Sequence, residues 1–168
     1  MGEKQTKITK LDLSSRNLTK LPDLSGYTHL TQLYCSDNQL TSLANVNWPP
    51  TLTYLHCSDN QLTSLDTLPP TLMNLQCQYN QLTSLDHLPP TLTHLYCNHN
   101  QVTSLDHLPP TLTLLSCTHN QLTSLDDLPP TLTTLYCTNN PLIYPFKPIT
   151  LQAIRDYNAN RVNLYVLK

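Results

Sequence analysis

Cysteine stands at positions 35, 57, 77, 97, 117 and 137, and from Cys57 onward the interval is 20 residues. From Thr51 the chain reads Thr-Leu-x-x-Leu-x-Cys-x-x-Asn-Gln-Leu-Thr-Ser-Leu-Asp-x-Leu-Pro-Pro, then begins again at Thr71, Thr91, Thr111 and Thr131. A fixed period of this length describes a stack of like units, none able to bury its apolar side alone. The core must run along the stack, and each unit must contribute the same side chains to it.

Counted from the first apolar residue of each unit, rungs begin at Ile8, Leu30, Leu52, Leu72, Leu92, Leu112 and Leu132. The reading is one domain: a lead-in over 1–7, seven repeats over 8–145 and a cap over 146–168. The second rung is longer by an insertion at Asn45-Val46-Asn47-Trp48. The first is degenerate, with Leu13 for Cys and Arg16 for Asn. Within a unit, Leu-x-Leu-x-Cys alternation predicts a short strand whose inward residues are, for example, Leu55 and Cys57. Successive strands pair in parallel. Asn38, Asn60, Asn80, Asn100, Asn120 and Asn140 follow where the chain bends inward, and their amides are placed to satisfy backbone groups the bend leaves unpaired. Leu62, Leu65 and Leu68 fill the core from the return side. Leu-Pro-Pro closes the unit: paired prolines fix φ and cannot continue a helix, which predicts a polyproline II outer wall. Beyond Phe146 the pattern ends. Thr150 is placed to cap an amphipathic helix that carries Leu151, Ile154, Tyr157 or Asn158, and Val162 on the side facing the last rung.

Every cysteine occupies the same inward position. Neighbouring rungs of a parallel sheet lie ~4.8 Å apart, a poor match to disulfide geometry, so a ladder of free buried thiols is expected in a reducing compartment. Net charge is −2 and the pI near 6.3, which excludes the basic stripe of a nucleic-acid binder. No apolar run is long enough to cross a membrane and no secretory signal is visible. Met1-Gly2-x-x-x-Thr6 matches a loose myristoylation pattern with Glu3 an ill-suited neighbour. Charged residues make up only 12% of the chain, about half the usual share, so the surface is built of Thr, Ser, Asn, Gln, His and Tyr. Lys10 and Asp12 put charge on the first strand and discourage edge-to-edge association; a monomer is expected.

The run Leu-x-x-Leu-x-Cys-x-x-Asn-x-Leu, repeated over about residues 8 to 145, resembles the leucine-rich-repeat motif. With its 20-residue period and Leu-Pro-Pro it is similar to the short LPX-type repeats of effector proteins that pathogenic bacteria deliver into host cells. The resemblance implies a right-handed curved solenoid, α/β by convention, with a parallel sheet on its concave face and a C-terminal capping helix. It also implies a non-enzymatic protein-protein interaction module: an effector secreted by a bacterium into the host-cell cytoplasm, binding a host protein on the concave sheet. Two departures stand out. Cys replaces the Val those repeats often carry, and Leu65-Asp66 replaces a second Leu-Pro. Some such effectors also carry a ubiquitin-ligase domain that needs a catalytic Cys, and no Cys follows Cys137.

The repeats act as their own control: constant positions build the frame, and varying ones are free for recognition. The column between Leu and Cys runs Asp12, Tyr34, His56, Gln76, Tyr96, Ser116, Tyr136. The column before that Leu runs Lys10, Gln32, Tyr54, Asn74, His94, Leu114, Thr134. Two residues after Cys stand Asp37, Asp59, Tyr79, His99, His119 and Asn139. Tyr offers a large contact area with a polar tip at low entropy cost. The candidate binding residues are therefore Tyr34, Tyr54, His56, His94, Tyr96 and Tyr136 as anchors, with Gln76, Asn98 and His119 around them. The same side chains suit a glycan or small ligand, which is the alternative reading. His99/His119 and His87/His107 hold equivalent positions on neighbouring rungs, yet neither pair has a full ligand set, so no metal and no cofactor are expected. The ladder Asp66, Asp86, Asp106, Asp126 is expected to accept backbone N–H groups in its own turns. Nucleophile elbows, zinc-protease motifs and phosphate loops are all missing, and two glycines cannot build a phosphate cradle.

Overall fold

The computed structural model describes residues 7–166. Seven three-residue strands follow one another: β1 (Lys10–Asp12), β2 (Gln32–Tyr34), β3 (Tyr54–His56), β4 (Asn74–Gln76), β5 (His94–Tyr96), β6 (Leu114–Ser116) and β7 (Thr134–Tyr136). A single helix, α1 (Leu151–Val166), comes last. The strands form one parallel sheet in chain order. Their register is set by the period: Leu11, Leu33, Leu55, Leu75, Leu95, Leu115 and Leu135 pair in sequence. A slip by one residue would turn this leucine column outward, so the pattern permits no other register.

The core is a column of leucine and cysteine. Leu33, Leu55, Leu75, Leu95 and Leu115 are fully buried, as are Leu40, Leu62, Leu82, Val102 and Leu122 from the return side. Each such side chain stabilises the stack by about 1.5–3 kcal/mol. All six cysteines are free and buried. Burial pushes the Cys35 and Cys97 thiols up to about 12, which keeps them protonated and unreactive.

The asparagine column closes the backbone ledger at the inward bend. Asn80 Nδ2 donates to Cys57 O, Cys77 O and Gln78 O, each at 3.1 Å. Its Oδ1 accepts from Leu62 N of the preceding rung at 2.9 Å. Asn60, Asn100 and Asn120 repeat this arrangement. From the second rung Asn38 reaches back to accept from Arg16 N and Leu18 N of the first.

The wall opposite the sheet carries no α-helix among the described residues before α1. It is extended but interrupted, because the second proline of each pair opens a hydrogen-bonded turn. Leu52 N donates to Pro49 O and Leu72 N to Pro69 O at 3.1 Å, and the later rungs repeat it. Proline suits that turn position because its φ is already set. The threonine that follows ties rungs together: Thr91 Oγ1 donates to Pro70 O and Leu72 O, at 2.7 and 2.8 Å. In the insertion of the second rung, Trp48 Nε1 donates to Thr67 O at 2.6 Å.

Thr150 caps α1 as expected, with Ala153 N donating to its Oγ1 and Ile154 N to its carbonyl. Ile154 is fully buried against the last rung. Arg155 was not foreseen. Its Nη2 donates to Pro129 O, Pro130 O and Leu132 O; the last two are the carbonyls that a threonine of an eighth rung would take. Asn158 Nδ2 serves Leu125 O and Asp126 O. The myristoylation pattern and the side chain of Val162 lie outside the described residues.

The aspartate ladder corrects the expectation set on it. The N–H groups of Asp86 and Asp106 donate to Ser84 Oγ and Ser104 Oγ, while the carboxylates of Asp66 and Asp86 turn to the neighbouring rung. Asp86 Oδ1 lies 3.1 Å from His107 Nδ1, and Asp66 Oδ1 3.5 Å from His87 Nδ1. The serine two residues earlier occupies the turn's hydrogen bond, which leaves the carboxylate for an imidazole one period further along. The Ser84 hydroxyl, then His107, hold the Asp86 carboxyl below its ordinary value.

Candidate functional site

The outward positions of the strands lie side by side because the register is straight. In β2 and β3, Tyr34 and Tyr54 sit with ring centroids 5.1 Å apart, and His56 meets Tyr34 edge-on at 6.0 Å. The spacing falls within the attractive range for aromatic pairs. Lys10 Nζ lies 4.5 Å from the centre of the Tyr34 ring, so the charge on β1 is held against the aromatic group. Tyr34 OH donates to Gln32 Oε1 at 3.3 Å.

These contacts change the acidity of the rings. Burial, reinforced by Tyr34, raises the Tyr54 hydroxyl above its ordinary value. Burial lowers the His56 imidazole, against the opposing pull of Asp59 and Asp12. Both shifts keep the groups neutral near pH 7.

His94 and Tyr96 are half-buried on β5, with His94 Nδ1 2.9 Å from Thr93 Oγ1. Gln76 lies in register between His56 and Tyr96. Tyr136, on the last strand, is 55% exposed. Asn98 plays a part in the frame, since its Oδ1 accepts from Ser116 Oγ at 2.7 Å and Thr118 N at 3.2 Å.

His119 belongs to a stack that its column alone did not reveal. Tyr79 and His99 lie face to face at 4.3 Å, and His99 and His119 at 4.1 Å. Asn139 Nδ2 lies 2.8 Å from His119 Nε2 at the end of the stack. Every member of this column has positive φ, from 52° to 56°. Partial desolvation and the neighbouring His119 lower the His99 imidazole. Face-to-face imidazoles project their in-plane lone pairs in parallel, so they cannot converge on one ion. No cluster of three metal-ligating side chains occurs among the described residues. His87 and His107 point to Asp66 and Asp86 instead of to each other.

Two open grooves of about 200 Å³ each lie on the return side, between neighbouring Thr-Ser-Leu-Asp turns. One is lined by Ser104, Asp106, Ser124 and Asp126 and the other by Ser64, Asp66, Ser84 and Asp86, with none of the outward strand residues in either. Among the described residues no helix is long and apolar enough to cross a membrane.

Family models for Leucine Rich repeats (2 copies) and Leucine Rich Repeat match residues 6–48 and 51–90. Among solved structures, a Shigella effector LRR domain is similar at 35% identity with a TM-score of 0.72, over 83% of this chain and 62% of that one. YopM, a leucine-rich effector protein from Yersinia pestis, is similar at 36% identity with a TM-score of 0.71, over 80% of this chain and 38% of its own. The functional domain of InlJ from Listeria monocytogenes, described as including a cysteine ladder, is similar at 36% identity with a TM-score of 0.59, over 88% of this chain and 37% of that one. The chain thus spans less than two thirds of each of these structures. No curated protein sequence matches it significantly.

Proposed function

Because the chain is a leucine-rich-repeat protein, similar in structure to bacterial effectors, we propose that it works as a non-enzymatic interaction module. Its partner is a host protein, and the chain reaches it as an effector in the host-cell cytoplasm. The observation that carries this reading is the continuous outward face of the sheet. Tyr34, Tyr54, His56, His94, Tyr96 and Tyr136 stand on it in register, with Gln76 between them and His119 at its edge. The positions around Asn74, Gln76, His94 and Tyr96 bear no fixed charge, so binding there rests on aromatic area and amide hydrogen bonds more than on electrostatic steering. Asn98 ties neighbouring rungs of the face together through Ser116 and Thr118.

The test is affinity capture from eukaryotic cytosol with the chain and with a Tyr54→Ala/Tyr96→Ala/Tyr136→Ala variant shown to be folded. A protein retained by the first and lost by the second is the expected outcome. Equal capture by both would transfer the role to the opposite wall or the cap. Retention on a glycan array with no protein captured would favour the glycan reading, for which tyrosines and amides are equally apt.

A further inference from the structure

We propose that the fourth rung, residues 71–90, is the energetic centre of this interface. Its occupant is an uncharged segment of the partner protein, which sets apolar side chains against Met73 and against Tyr79 and offers a hydrogen-bond donor to Asn74. The proposal rests on the reading of the sheet face as a protein-binding surface, and it singles out residues that reading does not use.

The repeats again serve as the control. The position just before each strand is Thr9, Thr31, Thr53, Met73, Thr93, Thr113 and Thr133. The threonines form a ladder: Thr31 Oγ1 donates to Thr9 O at 3.0 Å, Thr53 to Thr31 O at 3.3 Å, Thr93 to Met73 O, Thr113 to Thr93 O and Thr133 to Thr113 O. Met73 alone cannot donate, and it leaves Thr53 O without the hydroxyl its counterparts receive. In exchange it exposes 48% of an apolar, adaptable side chain. The frame gains nothing from that substitution; a partner surface does.

Tyr79 departs in the same sense. Its column adopts left-handed φ in every rung, and aspartate and asparagine, which tolerate that region, fill it at Asp37, Asp59 and Asn139. A bulky aromatic is poorly suited to it. Tyr79 nonetheless holds φ 52° and is 53% exposed. Strain of this kind persists where the side chain has a use.

Between them lies Asn74. The amide oxygens of Gln78 and Asn98 are committed to Ser58, Ser116 and Thr118. Asn74 Oδ1 is buried with no hydrogen-bond partner. An unpaired buried acceptor is costly, and rotation about the broad terminal torsion of a half-buried Asn lets that oxygen meet an incoming donor.

The three departures fall on one line. Met73 precedes β4, Asn74 begins it and Tyr79 follows it, so the line crosses the sheet over roughly 20 Å at ~3.3 Å per residue. β4 has three strands on either side, the central position where dominant interface residues are shielded by their neighbours. The charges near the face, Lys10, Asp12, Asp37 and Asp59, all lie in the first three rungs. Asp59 stands one rung before Tyr79 at the edge, but the register neighbours of Asn74 and Gln76 are Tyr54, His56, His94 and Tyr96, so a charged group over the middle of β4 would be desolvated with no counter-charge beside it.

The test uses Met73→Thr, which restores the threonine of the other rungs, and Tyr79→Asp, which places there the residue that Asp37 and Asp59 show the bend accepts. A displayed library of random dodecapeptides is selected on the intact chain, and winners are measured against both variants and against Tyr54→Ala/Tyr96→Ala. The expected result is peptides with apolar, uncharged centres that lose about tenfold or more in affinity for each rung-four variant, with melting temperatures unchanged or raised. Winners that bind both variants within twofold but lose Tyr54→Ala/Tyr96→Ala overturn the proposal and leave the binding face standing. Winners indifferent to all the variants overturn both. Winners with charged centres, or no winners at all, overturn the uncharged linear occupant.

Discussion

The chain carries two side-chain ladders with the same 20-residue spacing, the asparagines of the inward bend and the aspartates of the return side. In sequence they look alike: a polar residue recurring once per rung, flanked by leucine. In the structure they differ in burial. Asn60, Asn80, Asn100 and Asn120 are between 7% and 8% exposed, and each joins two rungs through four hydrogen bonds of the kind described for Asn80. The imidazole partners His87 and His107 of the aspartates keep 78% and 74% of their side-chain surface in solvent. Repetition alone does not measure energetic weight. A buried polar group must be paired or it is heavily penalised, whereas an exposed ion pair has water as a ready substitute.

The sharpest way to break the comparison is Asn80→Ala. It strands Cys57 O, Cys77 O and Leu62 N in the interior, and the expected loss is about 3 kcal/mol, read as a fall in the thermal midpoint. Arg155→Ala comes next. It removes the donor that three carbonyls at the junction of the last two rungs share, for an expected loss of about 1 kcal/mol confined to the C-terminal end and resolved by hydrogen exchange at rungs six and seven. His107→Ala is the smallest, with no shift of the chemical-denaturation midpoint beyond experimental scatter, because the Asp86 carboxylate it faces lies in solvent. A loss for His107→Ala as large as that for Asn80→Ala would mean that burial is not what separates the ladders.

Most of the frame was legible because it repeats. The interval of the cysteines located β2 to β7, the asparagine column announced its hydrogen-bonding role, and Thr150 marked the start of α1. The partners of the aspartates were not legible. Ser84 and Ser104 compete with them for the same turn, and that competition is settled by rotamers and by which residue lies one period away. Arg155 escaped notice because a helix pattern identifies the apolar face and not the long polar side chain that reaches past it. On the sheet face, the columns of Tyr34 and Tyr54 stood out by their variety. The signal at Met73 is of the opposite kind, a single exception in a column of threonines. Recognising it required knowing that those hydroxyls bond to the backbone. Tyr79 was visible as a varying residue, but its left-handed backbone, which makes the tyrosine costly, emerges only from the bend that Asn80 enforces.

The cysteine column has a consequence beyond packing. Each of rungs two to seven holds one thiol at the same depth, held in its unreactive form by the same surroundings, and only Cys137 at the end is slightly open, at 7%. A reagent that modifies thiols therefore meets one reporter in each of these six rungs, five of them fully buried. Each is silent until its own rung opens, so the molecule carries a graduated scale on which the order of its unravelling can be read position by position.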